Sequence, residues 1–171
     1  LVVKLPQCIE KTSSSQKRDL ILVVIYRQPN SGNLDFFLDS LELLLQKTDK
    51  PNNEIVIAGD MNLDLLRYET HPQTAQYLDI MINHGLLPQI VRPTRIKHRS
   101  ATLIDHIFTW ENTATMSGIL DVELAGNCGY TDHKPTFTFL RAKIPPKKTS
   151  PLATASYFTE KGHKDRKEGL R

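Results

Sequence analysis

Four short stretches of this sequence set polar, chemically capable side chains where apolar runs end or are interrupted. The first is Gly59-Asp60-Met61-Asn62, directly after Ile55-Val56-Ile57-Ala58. A carboxylate and an amide two residues apart face the same way if the chain stays extended. Together they can hold a metal ion or position a water. The second is Asp105, inside the run Thr102-Leu103-Ile104-Asp105-His106-Ile107-Phe108. An unpaired buried carboxylate is costly, so Asp105 either faces solvent by alternation or has a specific partner. The third is Thr131-Asp132-His133, where adjacent Asp and His can supply a metal ligand and a phosphate-facing imidazole from one loop. The fourth is Tyr26, at the end of an apolar run and followed by Arg27 and Pro29. Singly, each has a plainer reading. Gly-Asp turns often end strands, Asp-His pairs often decorate surfaces, and a strand-end Tyr usually packs.

The elements that must position these residues are written in the apolar pattern. Residues 20–26 and 54–58 read as buried strands, with Gly59 ending the second. Residues 103–110 read as a third strand, 118–124 as a fourth and 135–140 as the last. Residues 1–5 read as a strand ended by Pro6, 11–18 as a polar hairpin or loop, and 86–91 as a short extended piece. Leu34, Phe37, Leu38, Leu41, Leu44 and Leu45 recur at helical spacing behind Asn33, a suitable N-cap. A second helix runs from about Gln73 to His84 with the stripe Tyr77, Leu78, Met81 and Ile82, stopped by Gly85. Strand, helix, strand, helix, then several strands predicts an α/β (α+β) domain, a mixed sandwich rather than a parallel βαβ series.

Composition bounds the function classes. Apolar residues make up 39% of the 171, enough for one core. The longest apolar run has strand length, so no segment reads as a membrane span or a signal peptide. Cys8 and Cys128 are too few and too far apart for a disulfide framework or a zinc site. The net charge of +3 is unevenly spread: residues 141–171 carry nine basic and three acidic residues, residues 1–140 carry 13 and 16. Charge alone therefore makes no case for nucleic-acid binding by residues 1–140, read as the domain. Residues 141–171 read as a disordered basic tail. His71, His84, His98, His106 and His163 have no partner at metal-ligand spacing and read as surface or packing residues. Trp110 reads as core or rim. Arg92 and Arg95, either side of Pro93, read as structural or solvent-facing cations within possible reach of a phosphate.

In their order along the chain, Tyr26, Gly59-Asp60-Met61-Asn62, Asp105 and Asp132-His133 resemble the motif series of the endonuclease/exonuclease/phosphatase superfamily. The stretches VIYRQPN, IVIAGDMNLDLL, VRPTRI, SATLIDHIFT, SGIL and TDHKP are similar to the endonuclease region of jockey- or CR1-like non-LTR retrotransposon proteins. The resemblance implies a β-sandwich flanked by helices, with its N-terminal part missing from this chain. It implies hydrolysis of a phosphodiester in DNA with Mg²⁺ (or Mn²⁺) and a water nucleophile. Asp60 matches the carboxylate that orients or deprotonates the water, and Asn62 its neighbour that fixes water and phosphate. Both also count, with Asp132, among the metal-binding positions. His133 matches the imidazole on the scissile phosphate, Asp105 the carboxylate that orients that imidazole, and Tyr26 a phosphate-contacting tyrosine. The biological role implied is target-site nicking in the nucleus, with a reverse transcriptase downstream. A metal-binding Glu of the family lies before the Tyr motif, and Glu10 does not match it, so little activity is expected of the chain alone. Two alternatives stand beside this: the same fold acting on inositol phosphates or lipid headgroups, and a non-catalytic remnant.

Overall fold

Two apolar runs become the central strands, and the helix between them sets their direction. A computed structural model describes residues 1–10, 17–29, 33–111, 113–120 and 131–141. Strands β1 (Val2–Glu10), β2 (Lys17–Tyr26), β3 (Asn53–Asp60), β4 (Leu86–Pro88) and β7 (Asp105–Trp110) form one five-stranded sheet in the order β1-β2-β3-β7-β4. Helix α1 (Leu34–Thr48) carries the chain back from β2, so β2 and β3 pair in parallel. The other pairs are antiparallel, which makes the sheet mixed. Two hairpins flank it: β5 (Arg95–Lys97) with β6 (Ser100–Thr102), and β8 (Ala114–Ile119) with β9 (Thr136–Leu140).

Both helices begin and end for local reasons. Asn33 caps α1 by accepting the Phe36 N–H at 3.0 Å. Helix α2 (Pro72–Asn83) starts with Pro72 in its first turn, where a missing N–H costs nothing, and His71 accepts the Thr74 N–H. Gly85, at φ +71, provides the left-handed exit. Leu38, Leu41 and Leu45 of α1 and Tyr77, Ile80 and Met81 of α2 pack with Ile21, Val23, Ile55 and Ile57 of the sheet. Each such side chain, fully buried, contributes about 1.5–3 kcal/mol relative to exposure. On the opposite face Leu20 and Val56 pack with Cys8, Ile9 and, partly, Leu22 and Leu140. Leu140 belongs to β9, so the last strand reaches the face turned away from the helices.

Trp110 is part of this framework. Its Nε1 donates to the His84 carbonyl at 3.0 Å, and the Arg18 guanidinium lies 5.3 Å from its ring centre. Arg18 also pairs at 3.1 Å with Glu54, which is buried and accepts the Thr113 hydroxyl.

Several boundaries differ from the sequence reading. Pro6 does not end the first strand; β1 runs through it to Glu10, with a register shift between Leu5 and Ile9. Proline is tolerated there because β1 is an edge strand and the irregularity needs no ladder N–H from it. β1 and β2 pair antiparallel, as the hairpin reading of 11–18 has it, but Lys17 and Arg18 already belong to β2; residues 11–16 lie outside those described. Gly59 does not end β3, which continues to Asp60. The third predicted strand begins at Asp105, and of residues 86–91 only three form a strand. β8 begins at Ala114, ahead of the predicted 118–124, and ends at Ile119; residues 121–124 lie outside the described set, as do Cys128, His163 and the tail from 142. The β5–β6 hairpin had no clear signal, since three-residue strands are too short for periodicity to register. Among the described residues no helix is long and apolar enough to cross a membrane.

Candidate active site

Strand register assembles the first three residues. Tyr26 of β2 lies beside Asp60 of β3, and Asp60 beside Asp105 of β7. The three form one row across the sheet. By alternation Asp60 shares a face with Val56, the face away from the helices. Gly59 is what lets β2 and β3 close at this level. Its φ is +143, and a Cβ there would sit 1.8 Å from the Ile25 carbonyl oxygen.

Beyond Asp60 the chain does not stay extended. Asn62 adopts φ +49, a left-handed conformation that Asn tolerates better than most residues. Its N–H donates to Asp60 Oδ1 at 3.0 Å, and its side-chain Nδ2 donates to the Arg27 carbonyl at 2.7 Å. The Asn62 amide therefore braces the turn instead of running parallel to the Asp60 carboxylate. Arg27 completes the brace. Its Nε donates to the Met61 carbonyl at 2.7 Å and its Nη2 to the Asn62 carbonyl at 3.0 Å. Only its place directly after Tyr26 hinted at this role.

The same turn is fastened to the approach to β7. Met61 N–H donates to the Ile104 carbonyl at 2.9 Å and Leu65 N–H to the Leu103 carbonyl at 3.0 Å. Asp64 Oδ1 accepts the Leu103 N–H at 2.9 Å. Thr94, wholly buried, accepts the N–H groups of Ile104 and Asp105 on one hydroxyl, at 3.2 and 3.0 Å. Sequence reasoning missed both Asp64 and Thr94, although each lies inside a stretch that carried the resemblance.

Of the two readings of Asp105, the specific partner holds. His133 Nδ1 lies 3.1 and 3.0 Å from its two carboxylate oxygens. His133 reaches it because residues 132–134 dock on the β5–β6 hairpin: Ile96 N–H donates to the Asp132 carbonyl, and Lys134 N–H to the Thr94 carbonyl at 2.6 Å. Asp132 faces Arg95, whose Nε lies 2.8 Å from its carboxylate; its other oxygen is 4.0 Å from His133 Nε2. Partial desolvation pushes the Asp132 carboxyl up, but a backbone N–H and the Arg95 guanidinium outweigh it and hold it below the usual range. Tyr26 is 71% exposed at the edge of the row.

Ligand atoms of Asp60, Asp105 and His133 lie within 4.8 Å of one another, close enough to share a metal ion. Asn62 and Asp132 flank this group, with their side chains engaged by the Arg27 carbonyl and by Arg95. Burial raises the Asp60 carboxyl above its ordinary range, and the nearby charge of Asp105 adds to it; the Asn62 N–H and His133 oppose. A carboxylate made costly by burial and a like charge is one that a cation would relieve.

His71, His84 and His106 do structural work. His71 caps α2, and His84 pairs with Asp49 at 3.2 Å. His106, 1% exposed, lies 3.1 Å from the Tyr77 hydroxyl and 3.0 Å from the Leu103 carbonyl. A carbonyl only accepts, so Nε2 carries the proton, and Nδ1 takes the Tyr77 O–H. Burial lowers the His106 pKa, in keeping with this neutral form.

Known proteins bear on this arrangement. No curated protein matches the chain. Among solved structures it is similar to the endonuclease domain of TRAS1, a telomere-specific non-LTR retrotransposon, with TM-score 0.55 and 17% identity over 82% of this chain and 67% of that one. It is also similar to a 3'-5' exonuclease, NExo, from Neisseria meningitidis (TM-score 0.56, 13% identity, 80% of this chain and 70% of that one). A structure of the 3' phosphatase NExo from Neisseria bound to a product DNA hairpin aligns at TM-score 0.56 and 13% identity, over 72% and 61%. At these identities the likeness is one of fold. A family model described as endonuclease-reverse transcriptase matches residues 20–137, a span that includes all six residues singled out from the sequence. With more than half of its length under that model and the same fold in these structures, the chain belongs to the endonuclease-reverse transcriptase family of the endonuclease/exonuclease/phosphatase superfamily.

Proposed function

We propose that the protein is a divalent-metal-dependent phosphodiester hydrolase that nicks DNA, in the role of a retrotransposon endonuclease preparing a target site in the nucleus. The observation that carries this reading is the meeting of Asp60, Asp105 and His133 from three distant stretches of chain, within 4.8 Å. The carboxylate oxygens gathered here suit Mg²⁺ or Mn²⁺, hard ions that prefer oxygen ligands and retain water, while His133, bonded to Asp105, is left to meet the phosphate. Asp60 and Asp132 are the carboxylates assigned to hold it, with Asn62 beside them. When bound, the ion supplies positive charge against the phosphate.

The chain's own residues supply the rest. Asp60 aims the attacking water and takes its proton. The water oxygen bonds to phosphorus as the bond to the leaving ribose oxygen breaks, and that oxygen takes up a proton from solvent. His133, held by Asp105, stabilises charge developing on the phosphate oxygens. Asn62 keeps Asp60 in its orientation through the turn, and Tyr26 at the exposed end of the row contacts the phosphate. A nick that primes DNA synthesis must leave a free 3'-hydroxyl, so the bond broken is P–O3'. The reverse transcriptase that would extend it lies elsewhere in the full element.

A DNA substrate is favoured over an inositol or lipid headgroup by charge placement. Residues 80–104 contain no acidic residue and the cations Arg92, Arg95, Lys97 and Arg99, although residues 1–140 are acidic overall. Such a run of cations, in which Arg95 is already paired with Asp132, suits a long polyanion better than a single headgroup. Turnover by the chain alone is expected to be slow, because two carboxylates, one of them paired with Arg95, make a weak Mg²⁺ site.

Nicking of supercoiled plasmid tests the proposal. Conversion to open circles that needs Mg²⁺ or Mn²⁺, stops with chelator and is lost in Asp60→Asn supports it. A folded chain whose plasmid conversion equals that of Asp60→Asn at every metal concentration would falsify it and leave the remnant reading.

A further inference from the structure

Asp60, Asn62 and Asp64 stand two residues apart, and on an extended chain their side chains would face one way. Three oxygen-bearing side chains so spaced on one loop suit a hard cation. The fold separates the third from the other two. Asn62, at φ +49, breaks the alternation, and Asp64 turns to the segment that leads into β7. Its Oδ1 accepts the Leu103 N–H at 2.9 Å and the Leu66 N–H at 3.2 Å. One oxygen thus caps the helical turn Leu65–Arg67 and reaches a residue 39 positions away. Leu103 needs that acceptor. It is buried and lies two residues ahead of β7, outside the ladder, where its N–H must still be met. Thr94 meets the next two N–H groups, those of Ile104 and Asp105. Each N–H from Leu103 to Asp105 therefore ends on a side-chain oxygen, and Asp64 is the one supplied by the Asp60 turn. The Leu103 carbonyl accepts the Leu65 N–H at 3.0 Å, so consecutive residues of that turn hold Leu103 at both ends.

We propose that Asp64 is a positioning residue of the cation site and not one of its ligands: by tying Leu103 to the Asp60 turn, it sets the distance between the Asp60 carboxylate and the Asp105–His133 pair. The inference rests on the metal-dependent reading of that site. The ligand atoms that lie within 4.8 Å of one another belong to Asp60, Asp105 and His133, and Asp64 is not in that group. What the site asks of Asp64 is an acceptor rather than a charge. Both of its bonds use one oxygen, so the amide oxygen of an asparagine can serve in its place. Asp64 also borders a cleft of about 190 Å³ with Arg67 and His71, which leaves room for the asparagine amide.

Asp64→Asn keeps the acceptor and removes the charge, whereas Asp64→Ala removes both. Mn²⁺ alone is the probe, titrated into each chain and followed by the electron paramagnetic resonance of the free ion. Asp60→Ala, which removes a ligand, marks the binding that belongs to this site. Asp64→Asn is expected to bind Mn²⁺ within about threefold of the parent and Asp64→Ala roughly 10–100-fold more weakly, the usual worth of a group that orients a metal ligand. Amide exchange in the metal-free chains reads the tie itself: the Leu103 N–H should exchange slowly in the parent and in Asp64→Asn, and about tenfold faster or more in Asp64→Ala. Equal losses of Mn²⁺ affinity in the Asn and Ala variants would make the carboxylate itself a ligand and overturn the proposal. So would a folded Asp64→Ala that binds Mn²⁺ like the parent, or a parent that binds none. If Asp64→Ala does not fold, Asp64→Asn decides: retained affinity with slow Leu103 exchange supports the positioning role, and lost affinity overturns it. A parent that binds Mn²⁺ but never nicks plasmid sinks the nuclease reading and leaves this comparison standing. A parent that nicks, beside an Asp64→Ala that binds Mn²⁺ normally, sinks the role of Asp64 alone.

Discussion

The carboxylate of Asp105 meets the Nδ1 of His133 with both of its oxygens, at 3.0 and 3.1 Å, across 28 residues of chain. A carboxylate in that position fixes the ring's orientation and tautomer, and leaves Nε2 as the atom that can serve a phosphate. Asp105→Ala is expected to lower plasmid nicking by roughly 10²–10⁴-fold, the usual worth of a positioned acid–base group, with a smaller change in KM. Kinetics on a labelled duplex check this. Nicking by Asp105→Ala at the parental rate would mean that the pair only packs.

Asp60 shows the opposite balance, a group whose chemistry works against the fold. Its folded-state pKa is raised by burial and by the Asp105 charge. Between the unfolded and folded values the native state holds more protons, so stability falls as pH rises through that window and stays lower above it. Asp60→Asn should therefore melt higher than the parent at neutral pH, and the gain should vanish in acid below the ordinary Asp range. Thermal melts of both chains from acid to neutral pH measure it. An Asn variant less stable at neutral pH would show that the Asn62 N–H, not burial, governs this carboxylate.

Thr94 is expected to matter more than its short side chain suggests. One buried hydroxyl accepts two backbone N–H groups that lead into Asp105. Thr94→Val keeps the shape and orphans both donors, at a cost of about 1–3 kcal/mol for each group left unsatisfied. Thr94→Ser keeps the acceptor and should recover most of that loss. Denaturant unfolding separates the two; equal stabilities for Val and Ser would remove the hydroxyl from the argument.

Acid sensitivity should trace to His106. Its folded pKa lies below the unfolded one because it is buried. The unfolded chain thus takes the proton first, so the stability His106 contributes is complete above the ordinary histidine range and is lost as pH falls through that range toward the folded value. His106→Gln, able to donate to the Leu103 carbonyl and accept from Tyr77, should flatten this part of the stability–pH curve. Tyr77→Phe leaves Nδ1 without its donor and should cost about 1–3 kcal/mol at neutral pH. An unaltered pH profile in His106→Gln would assign the acid loss to other groups.

Much of the architecture was legible because its causes are local. Residues 20–26 and 54–58 are apolar runs of strand length, and both are central strands. Asn33 and Gly85 act as the start and stop that their chemistry suggests. Errors fell where tertiary contacts override local preference. Pro6 is accommodated because its strand is an edge, and the edge is known only once the sheet exists. Asn62 turns left-handed because Arg27, 35 residues away, holds the carbonyls of Met61 and Asn62.

The order and type of Tyr26, Asp60, Asn62, Asp105, Asp132 and His133, and the family they belong to, follow from the sequence by itself, since motif identity needs no coordinates. Which of them touch was decided only by the tertiary structure. Strand register aligned Tyr26, Asp60 and Asp105, and the β5–β6 hairpin delivered His133 to that row while Arg95 took Asp132. Register and docking are sums of many weak contacts over distant residues, and no short window of sequence contains them.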